Sequence, residues 1–258
     1  MNTKAPLTHL YKLYRQLRGI LEGLYAKRKF RQDFLIFQEK TQRGDRRFIP
    51  RWKERYPCMN DRTDQTDYDH HYIYHTAWAA RVVQRISPEV HYDFSSLLIF
   101  NTILSAFVPV VFHDFRPAIC TLDNITSKAC DLLRLPYEDG SLSSISCLHT
   151  IEHIGLGRYG DALEPDGDIR AMKELVRVLA PSGSLLIAVP IGSPRLLFNA
   201  HRIYAYRQIC EYFHELQLVE FSLVTDRAGD SPFIVNAAEE TADAQDYGCG
   251  CFWFRKAG

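Results

Sequence analysis

From residue 90 onward the chain alternates short, strand-like apolar runs with runs of helical period. That order constrains the fold more than any other feature, because parallel strands need crossover connections and the helices that supply them must cover the faces of one sheet. Residues 90–94 read as the first strand, 96–107 as a helix ending before Val108-Pro109, and 110–115 as the second strand. Further strands are expected over 144–148 and over 184–189, the latter closed by Pro190. Between them a helix over 168–179 puts Ile169, Met172, Val176 and Leu179 on one face. A helix near 205–216 and strands over 219–225 and 251–255 complete the series.

At 258 residues, 46% of them hydrophobic, the chain is long enough for one sizeable α/β core and short for two. Lys plus Arg equal Asp plus Glu at 31 each, which excludes a globally basic nucleic-acid binder. The balance hides an asymmetry. Residues 1–56 hold 15 basic and 5 acidic side chains, so a basic arm precedes an acidic body. In the arm, Leu7, Leu10, Tyr11, Tyr14, Leu17, Leu21 and Leu24 recur at steps of three and four with Lys12, Arg15 and Arg18 between them, the pattern of an amphipathic helix. Residues 60–69 are polar and acidic, a linker or surface loop. A helix over 70–86, with Tyr74, Trp78, Val82 and Ile86 at steps of four, precedes the first strand. The expected organisation is a basic helical extension and linker over 1–66, then one domain over 67–258.

The chain has no apolar run of about 18 residues and no apolar signal segment near its start, so a soluble, cytoplasmic protein is expected. The basic stripe would pack on the body or on another protein, or rest peripherally on an anionic membrane face. Arg46-Arg47, Arg51, Lys53 and Arg55 could follow phosphates, but the acidic body opposes this, no nucleic-acid motif is present, and no nucleic-acid partner is expected. Seven single cysteines read as reduced, buried thiols. Cys249-Gly-Cys251 is the only close pair; with no second pair or nearby His to complete a zinc site, no metal is expected.

Asp93 and Asp114 end the first two strands 21 residues apart, about the separation at which a βαβ unit presents an acid to a ribose hydroxyl, although either could equally cap a helix. The richest stretch begins with Cys130-Asp131-Leu132 and the loop Leu135-Pro136-Tyr137-Glu138-Asp139-Gly140-Ser141-Leu142. It continues through His149 and Glu152-His153 to Glu174-Leu175-Val176-Arg177-Val178-Leu179-Ala180-Pro181-Ser182-Gly183. The order and spacing of these pieces resemble the class I S-adenosylmethionine-dependent methyltransferases. A narrower resemblance over residues 67–205 is to an uncharacterised methyltransferase-like family, a domain of unknown function. It is carried by His70-His71-Tyr72 with Trp78, Leu104-Ser105-Ala106-Phe107, Asp114-Phe115-Arg116-Pro117, the run from Cys147 to Asp161, and Phe198-Asn199-Ala200-His201-Arg202.

The resemblance implies a Rossmann-like sheet of seven strands, mostly parallel with an antiparallel C-terminal strand, and S-adenosylmethionine as cofactor. It implies that Asp93, Ser95, Asp114, Asp131 and Leu132 line the cofactor, Asp114 accepting from the ribose. The chain departs from the family chiefly in that Asp93-Phe94-Ser95-Ser96-Leu97 has no glycine where a glycine-rich turn lets backbone pass close to the ligand. Ser182 replaces a glycine in the later turn as well.

Methyl transfer to a hydroxyl needs an in-line nucleophile and a base, for which His149, Glu152, His153 and His201 are the candidates, His153 first. His149 and His153, four apart, would share a face if the segment after the strand were helical. Arg158, Tyr159 and Asp161, interleaved with Gly155, Gly157 and Gly160, and Asn199 with Arg202, are the candidate acceptor-binding residues. Tight-turn and helix-cap roles are their plain alternatives. Relatives of this type sit among polysaccharide-assembly proteins, so the implied acceptor is a small molecule or glycan. The rival readings are an inactive scaffold working through protein or membrane contacts, and a dinucleotide-dependent oxidoreductase, which would lack its Gly-x-Gly-x-x-Gly turn.

Overall fold

A computed structural model describes residues 5–44, 48–226 and 232–258, with the side chains of residues 5–14 and 16 not described. Leu7, Leu10, Tyr11 and Tyr14 of the expected stripe therefore lie outside the described side chains, and Arg46-Arg47 outside the described residues. The chain divides after Asp67 into two units. The first holds α1 (Ala5–Arg43), about 58 Å long at 1.5 Å per residue. Its exposed flank carries Arg18–Glu22, Lys29–Asp33 and Glu39–Arg43 pairs one turn apart. Trp52 packs on Phe30 and Phe34 at 6.1 and 5.0 Å, with the Arg55 guanidinium 4.5 Å over its ring. Among the described residues no helix is long and apolar enough to cross a membrane.

The second unit opens with α2 (His70–Ile86), capped by Asp69, whose carboxylate accepts from Tyr72 N–H. Then come β1 (His91–Phe94), α3 (Leu98–Leu104), β2 (Val110–Asp114), β3 (Ile125–Ala129), β4 (Leu142–Leu148), α4 (Gly167–Val178) and β5 (Leu179–Ile191). They are followed by β6 (Arg195–Leu197), β7 (His201–Ile203), α5 (Tyr206–Tyr212), β8 (Leu216–Val224), β9 (Phe233–Val235), α6 (Glu239–Asp243) and β10 (Gly248–Lys256).

The main sheet runs β3-β2-β1-β4-β5-β10-β8-β9. Its first five strands are parallel, and β10 enters antiparallel between β5 and β8. The expected seven-stranded, mostly parallel sheet is present, with β9 added at the β8 edge. Strand β10 is antiparallel because it returns from the opposite side, after the chain has crossed to the far edge to form β8. Alternation along the central strands divides the core. Leu185, Ile187 and Val189 of β5 and Phe252 and Phe254 of β10 pack with Leu175, Ile209 and Phe213 on one face. Leu186 and Ala188 of β5 and Cys249, Cys251 and Trp253 of β10 pack with Trp78, Val82 and Leu104 on the other.

Several boundaries differ from expectation. Strand β3, implied by the resemblance, carries no apolar pattern of its own: Ile125 is the only buried residue of Ile-Thr-Ser-Lys-Ala, as suits an edge strand. The helix expected over 96–107 is reduced to 98–104, because Ser96 is held in the preceding turn by bonds from its N–H to Asp93 and from Leu148 N–H to its Oγ. Asn199 begins no helix and lies in the turn joining β6 to β7. The Glu174–Arg177 part of the motif is a brace. Glu174 accepts from Leu135 N–H and from Arg177, whose guanidinium also donates to the carbonyls of Leu135 and Tyr137.

Candidate functional site

The carboxyl ends of β1 and β4 open onto a cavity of about 680 Å³, lined by Tyr72, Ser95, Ser96, Leu97, His149, Glu152, His153, Arg158, Tyr159, Asn199, His201 and Tyr247. A smaller cavity of about 150 Å³ shares Ser95, His149, His153 and Tyr159 with it and adds Asp114 and Arg116. Open parallel sheets bind ligands at this edge because the strands end there together and their loops are free to vary.

The turn after β1 explains why glycine is usual there. Ser95 has φ +60°, the left-handed region, and its N–H donates to His113 O at 2.7 Å. Thr150 Oγ1 donates to Ser95 O, tying the turn to the end of β4. Ser182 is left-handed too, at φ +59°. Both serines therefore adopt the backbone that glycine would adopt without strain.

His149, also left-handed at φ +54°, directs Nδ1 to Oε1 of Glu152 at 2.7 Å. A single 3₁₀ turn over 151–153 then carries His153, whose Nε2 lies 3.8 Å from the same oxygen. The two histidines are thus brought together around one buried carboxylate without the α-helix that their spacing would have needed. Burial works against a charge on His149, while Cys249 and Glu152 beside it raise its pKa; burial likewise opposes a charge on Glu152, and His149 more than offsets it. His153 Nδ1 donates to Ala200 O at 2.6 Å, leaving Nε2 as the ring's acceptor. The His201 ring lies 5.1 Å from that of Tyr247, tilted by 40°, and burial lowers its pKa.

Several expected site residues sit elsewhere. Asp93 is fully buried beneath the turn, where Oδ1 accepts from Ser96 N–H and Asn101 Nδ2; it shapes the cavity floor and does not line it. Leu132 belongs to the core, and Asp131 closes a local turn by accepting from Leu133 N–H. Arg202 is a cross-brace: it donates to Ile154 O and Pro165 O and pairs with Asp168, which also accepts from Tyr204. Asp161 points inward and accepts from the N–H groups of Gly155, Gly157 and Tyr159, fixing the loop. In that loop Gly155 is required, since a Cβ there would lie 2.0 Å from Glu164 O. Arg158 lines the cavity, its guanidinium donating to Ala200 O and lying 5.1 Å over the Tyr159 ring. Asn199 lines the cavity from the β6–β7 turn.

Sequence reasoning missed the contribution of α2. Its first turns deliver His71, Tyr72 and His75 to the carboxyl edge of the sheet, where the His71 and His75 rings lie 5.4 and 5.0 Å from that of His149. Tyr72 and Tyr247 are both pushed up to about 12 by burial, with Glu152 adding to it. The helical period announced α2, but its apolar stripe drew attention to the core face, not to the histidines at its start. Cys249 has histidines near it after all, since His71 and His149 both reach it from distant segments. The thiols are also less uniformly buried than expected: Cys147, Cys249 and Cys251 are buried, Cys58 is exposed.

The family model described as a Caenorhabditis protein of unknown function, DUF268, matches residues 137–236, from the loop before β4 through β9. No curated protein matches the chain in sequence. Among solved structures, N-methyltransferase NodS from Bradyrhizobium japonicum WM9, in complex with S-adenosylhomocysteine, superposes with a TM-score of 0.51 at 13% identity, covering 78% of this chain and 94% of its own. The 1,6-didemethyltoxoflavin-N1-methyltransferase of Burkholderia thailandensis matches with a TM-score of 0.49 at 15% identity, over 72% of this chain and 79% of its own. The strand order and the likeness to NodS define the fold as that of the class I methyltransferases.

Proposed function

We propose that this chain transfers a methyl group from S-adenosylmethionine to a hydroxyl of a small-molecule or glycan-type acceptor. The observation that carries the reading is the cavity at the carboxyl ends of β1 and β4, in a fold of the methyltransferase type, with a histidine nitrogen free to accept a proton at its wall. The residues present fit the cofactor. Ser95 keeps the left-handed turn without glycine, and Asp114 Oδ1 is satisfied by Arg116 N–H at 2.7 Å, leaving its second oxygen for a ribose diol. When bound, S-adenosylmethionine supplies a methyl carbon made electrophilic by its sulfonium.

His153 Nε2 would take the proton that the acceptor hydroxyl loses on methylation, the neutral thioether S-adenosylhomocysteine being the leaving group, and Glu152 would stabilise the resulting imidazolium from 3.8 Å. Arg158, Asn199 and His201 bound the acceptor side and suit a polyhydroxylated or anionic molecule, which supports a place in polysaccharide assembly. Leu97 at the cavity wall favours a second reading, in which the fold is kept as a scaffold and the cofactor is excluded.

Calorimetric titration with S-adenosylmethionine and S-adenosylhomocysteine, with NAD as control, separates the two. Micromolar binding of the first pair and none of NAD is expected. Absence of binding to any of them overturns methyl transfer and leaves the scaffold.

A further inference from the structure

Behind the cavity, three buried side chains from three distant segments meet: His71 from α2, His149 from the end of β4 and Cys249 from β10. One donor atom of each lies within 4.8 Å of the other two. With zinc–nitrogen and zinc–sulfur bonds of about 2.0–2.3 Å, the edges of a tetrahedral site are roughly 3.4–3.6 Å, so closure asks for side-chain movements on the order of 1 Å.

An independent observation points to a ligand. His149 is more than nine-tenths buried, and with Nδ1 on Glu152 its Nε2 has no hydrogen-bond partner. A buried orphan of this kind is costly, and it is the atom that a metal-bound histidine uses when a carboxylate holds the opposite ring nitrogen. The Glu152–His149 arrangement is therefore the outer half of a metal site. The donor set, two imidazoles and a thiol, suits a borderline-soft dication over magnesium or calcium, which prefer oxygen.

We infer that His71, His149 and Cys249 form a zinc site with three protein ligands and one open position. The open position faces a groove of about 570 Å³ that shares His71, Tyr72, His149 and Tyr247 and is bordered by Asp69 and Asp226. Binding forms two Zn–N bonds and one Zn–S bond, and releases to solvent the Sγ proton of Cys249 and any proton on the imidazole nitrogens used. The site ties α2 to β4 and β10.

The test uses the full chain with Cys58, the exposed thiol, replaced by Ser, stripped with a chelator and then titrated with zinc and, separately, with cobalt(II). One equivalent of zinc per chain, a rise in unfolding temperature and a thiolate-to-cobalt charge-transfer band are expected. Cys249→Ser should abolish the band, and His71→Gln should weaken cobalt binding at least tenfold; circular dichroism reports whether each variant is folded, and either folded variant suffices. No uptake at micromolar zinc overturns the site, as does uptake unchanged in a folded variant.

Discussion

His149 and Glu152 form a contact of 2.7 Å between groups that are both more than nine-tenths buried, three residues apart on either side of a left-handed turn. Removing one member of such a pair strands the other in a low-dielectric surrounding. Glu152→Ala should therefore lower unfolding free energy by about 3 kcal/mol, while Glu152→Gln, which keeps an acceptor at Oε1, should lose less than half of that. Urea denaturation of the chelator-treated protein checks this; equal losses would mean that the carboxylate charge contributes more than the hydrogen bond.

Of the two acids expected at the ends of β1 and β2, Asp114 reaches a cavity and Asp93 lies below the turn. Asp114→Ala should weaken S-adenosylhomocysteine binding by about 1–3 kcal/mol, the range for losing a hydrogen bond to a charged group. Calorimetry gives the dissociation constant directly, and an unchanged value removes Asp114 from the ribose subsite.

Ser182 is exposed and left-handed, at the irregular start of β5. The left-handed backbone costs a residue with a Cβ about 1–2 kcal/mol, and glycine's larger unfolded-state entropy returns roughly 0.5–1 kcal/mol of that. Ser182→Gly should stabilise by about 0.5–1 kcal/mol and raise Tm by roughly 1–4 °C. A lower Tm on thermal unfolding contradicts the assignment of strain.

Asp93 gives a pH signature. Burial raises its pKa from 3.8 to about 6, despite the donors Ser146, Ser96 and Asn101. An acid raised on folding is penalised when ionised, so the penalty is fully present above about pH 6 and gone below the unfolded value. Asp93→Asn keeps an acceptor for Ser96 and Asn101 and carries no penalty. Its stability relative to the parent should be higher at pH 8 than at pH 4 by on the order of 3 kcal/mol. Because the difference between the two proteins is measured, the opposite trend from His91, buried neutral at about 3, cancels. A difference that does not vary with pH refutes the shift.

Much of the architecture was legible in order along the chain. Periodicity marked α2 and α4, and β5, buried on both faces, reads as an unbroken apolar run from Leu185 to Val189. Strand β3 and the β6–β7 hairpin were not legible, because their residues are largely exposed and carry no pattern of burial. His149, Glu152, His153, Arg158, Asn199 and His201 were found because they follow strands at the end where a parallel sheet gathers its loops.

The sequence by itself determined the sheet and which end of it would be chemical, since hydrophobic period and strand order act through local geometry and chain connectivity. Only the tertiary structure decided that Arg202 and Asp161 turn to backbone partners, that Leu132 enters the core, and that Asp93 lies beneath the turn. It alone brought His71, His149 and Cys249 together, from α2, β4 and β10. These outcomes depend on how buried polar groups find partners across segments as far apart as residues 71 and 249, and no local pattern encodes that.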